Sequence, residues 1–224
     1  VFAGGLLMEE VPSIWVDRAG AKATVTQNFT RQSKATASVI CEEVTTRDES
    51  GAVVGAGAKQ GAQGQLSADG PPTTHSGNGT DRLMFFQGGL TRDTTHFVNG
   101  TQVGARDIFN LAQSVGLGSS FPIYNRFSAE CTRFIQLRPE NKKKNTPPPV
   151  LVAHAKGGTV VGNCASYDAF TLGGPHSCRG YNVGELGAAR SFLEYAAELR
   201  VPIPKLDTHA FAFWERCTDL GTSG

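Results

Sequence analysis

Arg179 is the side chain in this sequence that asks most of its surroundings. It sits inside TLGGPHSCRGYNVGELGA (171–188), between Cys178 and Gly180-Tyr181. A guanidinium has five donors and stays charged at any relevant pH. A loop that only had to turn would leave it in solvent. The alternative is a pin: a bidentate pair with an interior carboxylate, with small flanking residues letting the backbone pack closely. Asp219, in FAFWERCTDLG (211–221), ends a strand-like run beside Gly221 and is a candidate partner. Spacing alone does not choose between the two readings.

Other chemistries fit the residues less well. The glycine-rich stretch lacks the Lys-Ser/Thr ending of a phosphate loop. GPHSCRG puts Ser177 out of frame for a nucleophile elbow. A Cys178–His176 dyad is a poor reading as well. The histidines at 75, 96, 154, 176 and 209 show no metal-ligand spacing. The five cysteines form no C-x-x-C pair and read as free thiols. Sequons at Asn28, Asn78 and Asn99 matter only for a secreted chain. No cofactor, metal or catalytic constellation is expected, and so no enzyme.

The elements that position Arg179 read as strands. Charged residues are 18%, with 27 glycines and 11 prolines, a balance suited to a β-protein with many turns. A net charge of +1 sets up no global field for nucleic acid. Period-two alternation runs through Ala21–Phe29, Ala35–Glu43, Phe109–Leu117 and Phe127–Leu137. One face of each is polar, facing bulk water or a water-filled barrel. Asn99-Gly100 predicts a hairpin turn. Residues 49–80, rich in Gly, Ala, Ser and Pro, predict a mobile loop, and 139–149 (PENKKKNTPPP) a solvated one. No apolar run is long enough for a membrane helix, but a transmembrane strand needs only about 9–11 residues. GAARSFLEYAAELR (187–200) is ambiguous: its composition is helical, yet Leu193, Tyr195, Ala197 and Leu199 also line one face at period two.

Longer stretches carry a resemblance. SYDAFTLGGPHSCRGYNVGELGAARSFLEYAAELRVP, with QNFTRQSK, EEVTTRDES, SADGPPTT, LTRDTTHFVNG and CTRFIQL, resembles the BamA-type outer-membrane barrels. Within that superfamily it more specifically resembles the Toc-type import channels of the plastid outer envelope. The resemblance implies an all-β fold: a piece of a transmembrane antiparallel β-barrel, sixteen-stranded in the family, with a long lumen-inserted loop. That loop carries the arginine motif, here Gly173, Gly174, Arg179, Gly180, Tyr181 and Glu185. It also implies that Arg179 pairs with Asp219 of the Asp219-Leu220-Gly221 ending, and that 187–200 is a strand. Cys178 departs from the aliphatic residue usual before the arginine, and is small and apolar enough to replace it. Residues 1–224 are expected to be a partial barrel domain, lacking the amino-terminal POTRA modules and terminal strands.

Three functions compete at this point. The first is a protein-conducting channel, its polar face (Lys22, Thr24, Thr26, Glu194, Glu198 and Arg200) offering weak contacts that a passing chain can leave. Its implied partners are precursor proteins with transit peptides, receptor GTPases, other subunits of the import supercomplex and membrane lipid, with no nucleic acid. Its place is the plastid outer membrane. The second is a barrel-assembly insertase that templates strands by edge pairing. The third is a soluble β-domain, for which no convergent site is visible.

Overall fold

The computed structural model describes residues 14–60, 66–67, 70–116, 118, 121–138, 147–175, 177–203 and 208–221. The chain forms β1 (Trp15–Thr30), β2 (Ser33–Arg47), β3 (Lys59–Gln60), β4 (Leu66–Ser67), β5 (Thr80–Asp93), β6 (His96–Val98) and β7 (Thr101–Ser114). It continues through β8 (Tyr124–Gln136), β9 (Val150–Gly162), β10 (Phe170–Leu172), β11 (Gly187–Ala189), β12 (Ser191–Ile203) and β13 (Thr208–Asp219). A 3-10 turn, Ser166–Asp168, precedes β10. The segment of helical composition is thus strand, covered by β11 and most of β12.

One nine-stranded antiparallel sheet runs β1-β2-β5-β7-β8-β9-β12-β13, with β6 paired to β7. Each long strand follows its neighbour, so the sheet is a meander. The short pairs β3–β4 and β10–β11 sit inside the loops that follow β2 and β9. Asn99 (φ 47°) and Gly100 (φ 79°) both take positive φ, as a two-residue hairpin turn between β6 and β7 requires.

The register sorts side chains onto two unlike faces. On one, Thr24 opposes Ser38 and Ser38 opposes Gln87, while Glu130, Lys156 and Glu194 form a row across β8, β9 and β12. On the other lie Val25, Phe86, Leu90, Leu111, Phe127 and Leu193, all exposed. Tyr195 and Trp214 pack there with ring centroids 5.5 Å apart. Along β5 this apolar face runs from Arg82 to Arg92 through Met84, Phe86, Gly88 and Leu90. Ten steps of about 3.3 Å each, tilted as barrel strands are, give a band roughly 25 Å tall. That is the height of a bilayer's apolar layer.

A core lies on the polar face at its loop end. Val44, Leu83, Phe85, Tyr124, Val160 and Phe192 of the sheet are buried against Phe170, Leu172 and Ala189 of the loop after β9. Gly158 makes room for this. A Cβ there would lie 2.7 Å from Phe170, 2.8 Å from Phe192 and 2.9 Å from the Phe127 carbonyl oxygen. Phe170 and Phe192 meet over it with centroids 4.6 Å apart.

The stretch 49–80, expected to be mobile, is tied down at its base. The Thr46 hydroxyl donates to the Val54 carbonyl (2.7 Å), and Thr73 donates to the same oxygen (2.6 Å). Thr46 and Thr74 are each 2% exposed. These hydroxyls add to backbone bonds at the same place, Val54 N–H to the Thr46 carbonyl (2.9 Å) and Thr46 N–H to the Gly79 carbonyl (2.9 Å), ties that composition cannot reveal. Most of the lysine- and proline-rich stretch 139–149 lies outside the described residues.

Candidate functional site

The loop after β9 crosses the polar face and is held at two feet. At the first, the Arg179 backbone N–H donates to Glu215 Oε2 (2.8 Å) and its Nε to Glu215 Oε1 (2.5 Å). One Nη donates to Glu198 Oε2 (2.9 Å), and the guanidinium lies 3.8 Å from the Phe213 ring centroid. Glu198 also accepts from Arg200 Nε (2.6 Å). Burial alone would lower the Arg179 pKa, but the hydrogen bonds and charges of Glu215 and Glu198 together raise it, so the cation is secure. Beside it, the Ser177 hydroxyl donates to Glu194, and Lys156 Nζ stands 3.7 Å from the other Glu194 oxygen.

The turns that present Arg179 depend on glycine. Gly173 (φ 96°) and Gly174 (φ 107°) are left-handed, and a Cβ on either would press within 3 Å of the Asn182 or Val183 atoms. Gly180 (φ 97°) has open space around it, so its requirement is backbone conformation alone.

The expected partner is corrected. Arg179 bonds Glu215 and Glu198, whereas Asp219 Oδ1 accepts the Gly221 N–H (2.8 Å) in a local turn at the strand end. Asp219, Cys217 and Glu215 share a face of β13, and Glu215 lies two rungs deeper, opposite Ala196. The loop reaches that deeper carboxylate. Tyr181 is 49% exposed and stays out of the foot, and Glu185 accepts the Asn182 N–H (2.6 Å), closing a turn.

The second foot is one the sequence did not reveal. Asp168 is 7% exposed and accepts from Arg18 of β1 (2.9 Å) and from the Tyr124 hydroxyl of β8. Tyr167 donates to Asp81 Oδ2 (2.6 Å). Asp81 is fully buried and also receives the His75 N–H (2.7 Å) and the Ser76 N–H (2.8 Å). It therefore joins the loop after β2 to the loop after β9. Burial first, then the Asp81 hydrogen bond and charge, push the Tyr167 phenol well above the usual tyrosine range, so it remains a donor. The SYDAF stretch carried the signal, an acid beside a tyrosine at the mouth of the loop, but nothing local named its partners. For Glu215, strand parity in FAFWERCTDLG was the signal available.

The residues expected to line the polar face divide. Lys22, Thr24 and Thr26 are exposed on β1, and Thr24 shares a hydrogen bond with Ser38 (2.9 Å). Arg200 is half-buried on the same face as Glu198. Glu194 is 3% exposed and lies beneath the loop, and Glu198 is engaged by two arginines. Neither is an open wall contact, because the loop covers them. Among the described residues no cluster of three metal-binding side chains occurs, and no helix is long and apolar enough to cross a membrane.

The pattern of comparisons fits this geometry. Residues 10–220 match the model of the Omp85 superfamily domain. The chain belongs to the Omp85 superfamily. Its sheet is accordingly a section of a transmembrane antiparallel β-barrel. Over its whole length this Omp85 chain is 55% identical to protein TOC75 of Pisum sativum, covering 27% of that protein, and 50% identical to TOC75 of Oryza sativa. It is 46% identical to TOC75-4 of Arabidopsis thaliana, covering 56% of it. The chain thus spans about a quarter of the pea protein. The crystal structure of BamA from Haemophilus ducreyi lacking POTRA domains 1–3 superposes with a TM-score of 0.64 at 11% identity, over 91% of this chain and 42% of that one. At that identity the likeness concerns the fold.

Proposed function

We propose that this chain is part of a protein-conducting β-barrel of the chloroplast outer envelope. It translocates unfolded precursor proteins, with no covalent chemistry of its own. The carrying observation is 55% identity to TOC75 across the full chain, loop included. The physical observation beside it is a polar sheet face with open hydroxyls and one lysine on β1, opposite a face of exposed apolar residues. Such a wall offers contacts that are made and left easily. In this reading the polar face, with Lys22, Thr24, Thr26 and Arg200, faces the lumen, and the Arg179 loop lies within it. Precursors with transit peptides, TOC receptor GTPases and other subunits of the import supercomplex are its partners, and any energy source lies with them. The insertase reading draws on the BamA likeness, which speaks to fold alone.

The test is site-specific photo-crosslinking in the full-length protein, in plastids holding an arrested precursor. Thr24 faces the polar side, and Val25, 72% exposed, the apolar side. Crosslinks from Thr24 and none from Val25 are expected. Equal crosslinking from both, or none from Thr24, sinks the reading. Glu194 is a poor probe position, because the loop covers it.

A further inference from the structure

The first foot of the loop has the form of an occupied binding site. Glu194, Glu198 and Glu215 converge on the polar face of β12 and β13, with Phe213 beneath. What fills this cradle is a short peptide, Ser177-Cys178-Arg179. Its hydroxyl bonds one carboxylate, and its guanidinium bonds the other two while stacking on the ring. One acceptor is left open: among the described residues Glu194 Oε2 is buried without a hydrogen bond, with Lys156 Nζ 3.7 Å away as its counter-charge. Two cavities flank the plug. One of about 200 Å³ is lined by Ser177, Arg179, His154 and Glu215, and another of about 380 Å³ by Arg200, His209, Phe211 and Phe97. Glu198 lines both. Phe211 and Phe213 stack along the groove with centroids 6.2 Å apart.

We infer that this cradle is a receptor site for a cationic, hydroxylated peptide segment, and that Arg179 with Ser177 is its built-in competitor. The inference rests on the channel reading for the source of such a segment. Chloroplast targeting peptides are rich in Arg and Ser and poor in acids. A segment of that composition brings the same donors to the same glutamates. It would lie along β12 and β13 with cations on Glu198 and Glu215 and apolar side chains over Phe211 and Phe213. Arrival of cargo and release of the loop are then one exchange reaction. An acid-rich segment meets repulsion and leaves the loop in place.

The experiment uses the full-length protein in detergent and a synthetic peptide rich in Ser and Arg, with an Arg-to-Glu peptide as control. A purely structural pin and a competitor differ in sign. Arg179→Ala empties the cradle, so peptide affinity rises, by about tenfold if the cradle is free a tenth of the time in the unmutated protein. Glu215→Gln lowers it. In the unmutated protein, saturating peptide speeds alkylation of Cys178, a loop residue 7% exposed while the loop is seated, read by site-resolved mass spectrometry. Peptide binding that is unchanged or weaker in Arg179→Ala, together with Cys178 alkylation indifferent to peptide, overturns the proposal even where the variant folds poorly. The channel reading fails separately: peptide exchange at the cradle without precursor crosslinks at Thr24 removes the channel and leaves the site. Crosslinks at Thr24, with no gain in peptide affinity in Arg179→Ala and no effect of peptide on Cys178 alkylation, remove the site and leave the channel.

Discussion

At the scale of single residues, Asp81 carries more than its position suggests. It is fully buried and holds two backbone N–H groups and a phenol. Asp81→Ala strands three donors at once, and one stranded buried donor costs ~1–3 kcal/mol. We expect a loss of roughly 3 kcal/mol or more in chemical unfolding, and new protease cleavage in both long loops. Cleavage confined to one loop would show that Asp81 does not join them. Arg179 was legible as a candidate pin, although its type left solvent and a carboxylate partner equally open and only the family resemblance pointed to the pair. Which carboxylate was not legible, because Glu215, Cys217 and Asp219 share a face of β13, and only the depth of the loop selects among them. Asp168 and Tyr167 were silent for a related reason. Their partners, Arg18, Tyr124 and Asp81, lie far away in sequence.

At the scale of elements, period two revealed β1, β2, β7 and β8, where one face is polar along most of the strand. It failed for β5 and β9. Leu83 and Phe85 of β5 lie under the loop while Met84 and Phe86 face the other way, so both parities are apolar and the alternation vanishes. Val150, Val152 and Val160 of β9 behave likewise, buried on the polar side opposite Leu151 and Val161. A strand covered on both faces reads as a continuous apolar run. Gly158 marks where the loop touches the wall. Gly158→Val overpacks the Phe170–Phe192 contact and is expected to destabilise by ~1–3 kcal/mol, with the loop rather than the sheet loosening first. Thermal unfolding paired with proteolysis of residues 163–190 checks this. Full stability in the variant would mean the aromatic pair does not hold the loop.

At the scale of the whole molecule, the two faces report the solvent on each side. The apolar band on β5 ends in Arg82 and Arg92, and ion pairs Glu43–Arg82 and Asp107–Arg133 sit toward its two margins. Arginine placed at Phe86, mid-band, should cost ~2–4 kcal/mol in vesicle unfolding, whereas exchanging Arg92 for lysine should cost little. Equal effects at both positions would remove the band from the membrane. The sequence's charge balance could not show this, since a net charge of +1 averages over both faces.

The loop's two feet also set a mechanical condition. One foot grips β1 and β8 through Asp168, the other β12 and β13 through Arg179. The loop is a chord drawn across an arc, and an arc whose chord is fixed cannot change its curvature. While both feet hold, the aperture of the wall is a set dimension. Widening begins with detachment of one foot. The two feet are covered alike: the Asp168, Glu215 and Glu198 side chains are 9%, 10% and 12% exposed, and those of Arg18 and Arg179 39% and 33%, so each foot releases through a guanidinium that water can reach. In the channel reading proposed above, the dwell time of a guanidinium on its carboxylates then becomes the clock of the opening, readable as the closed-time distribution in single-channel records.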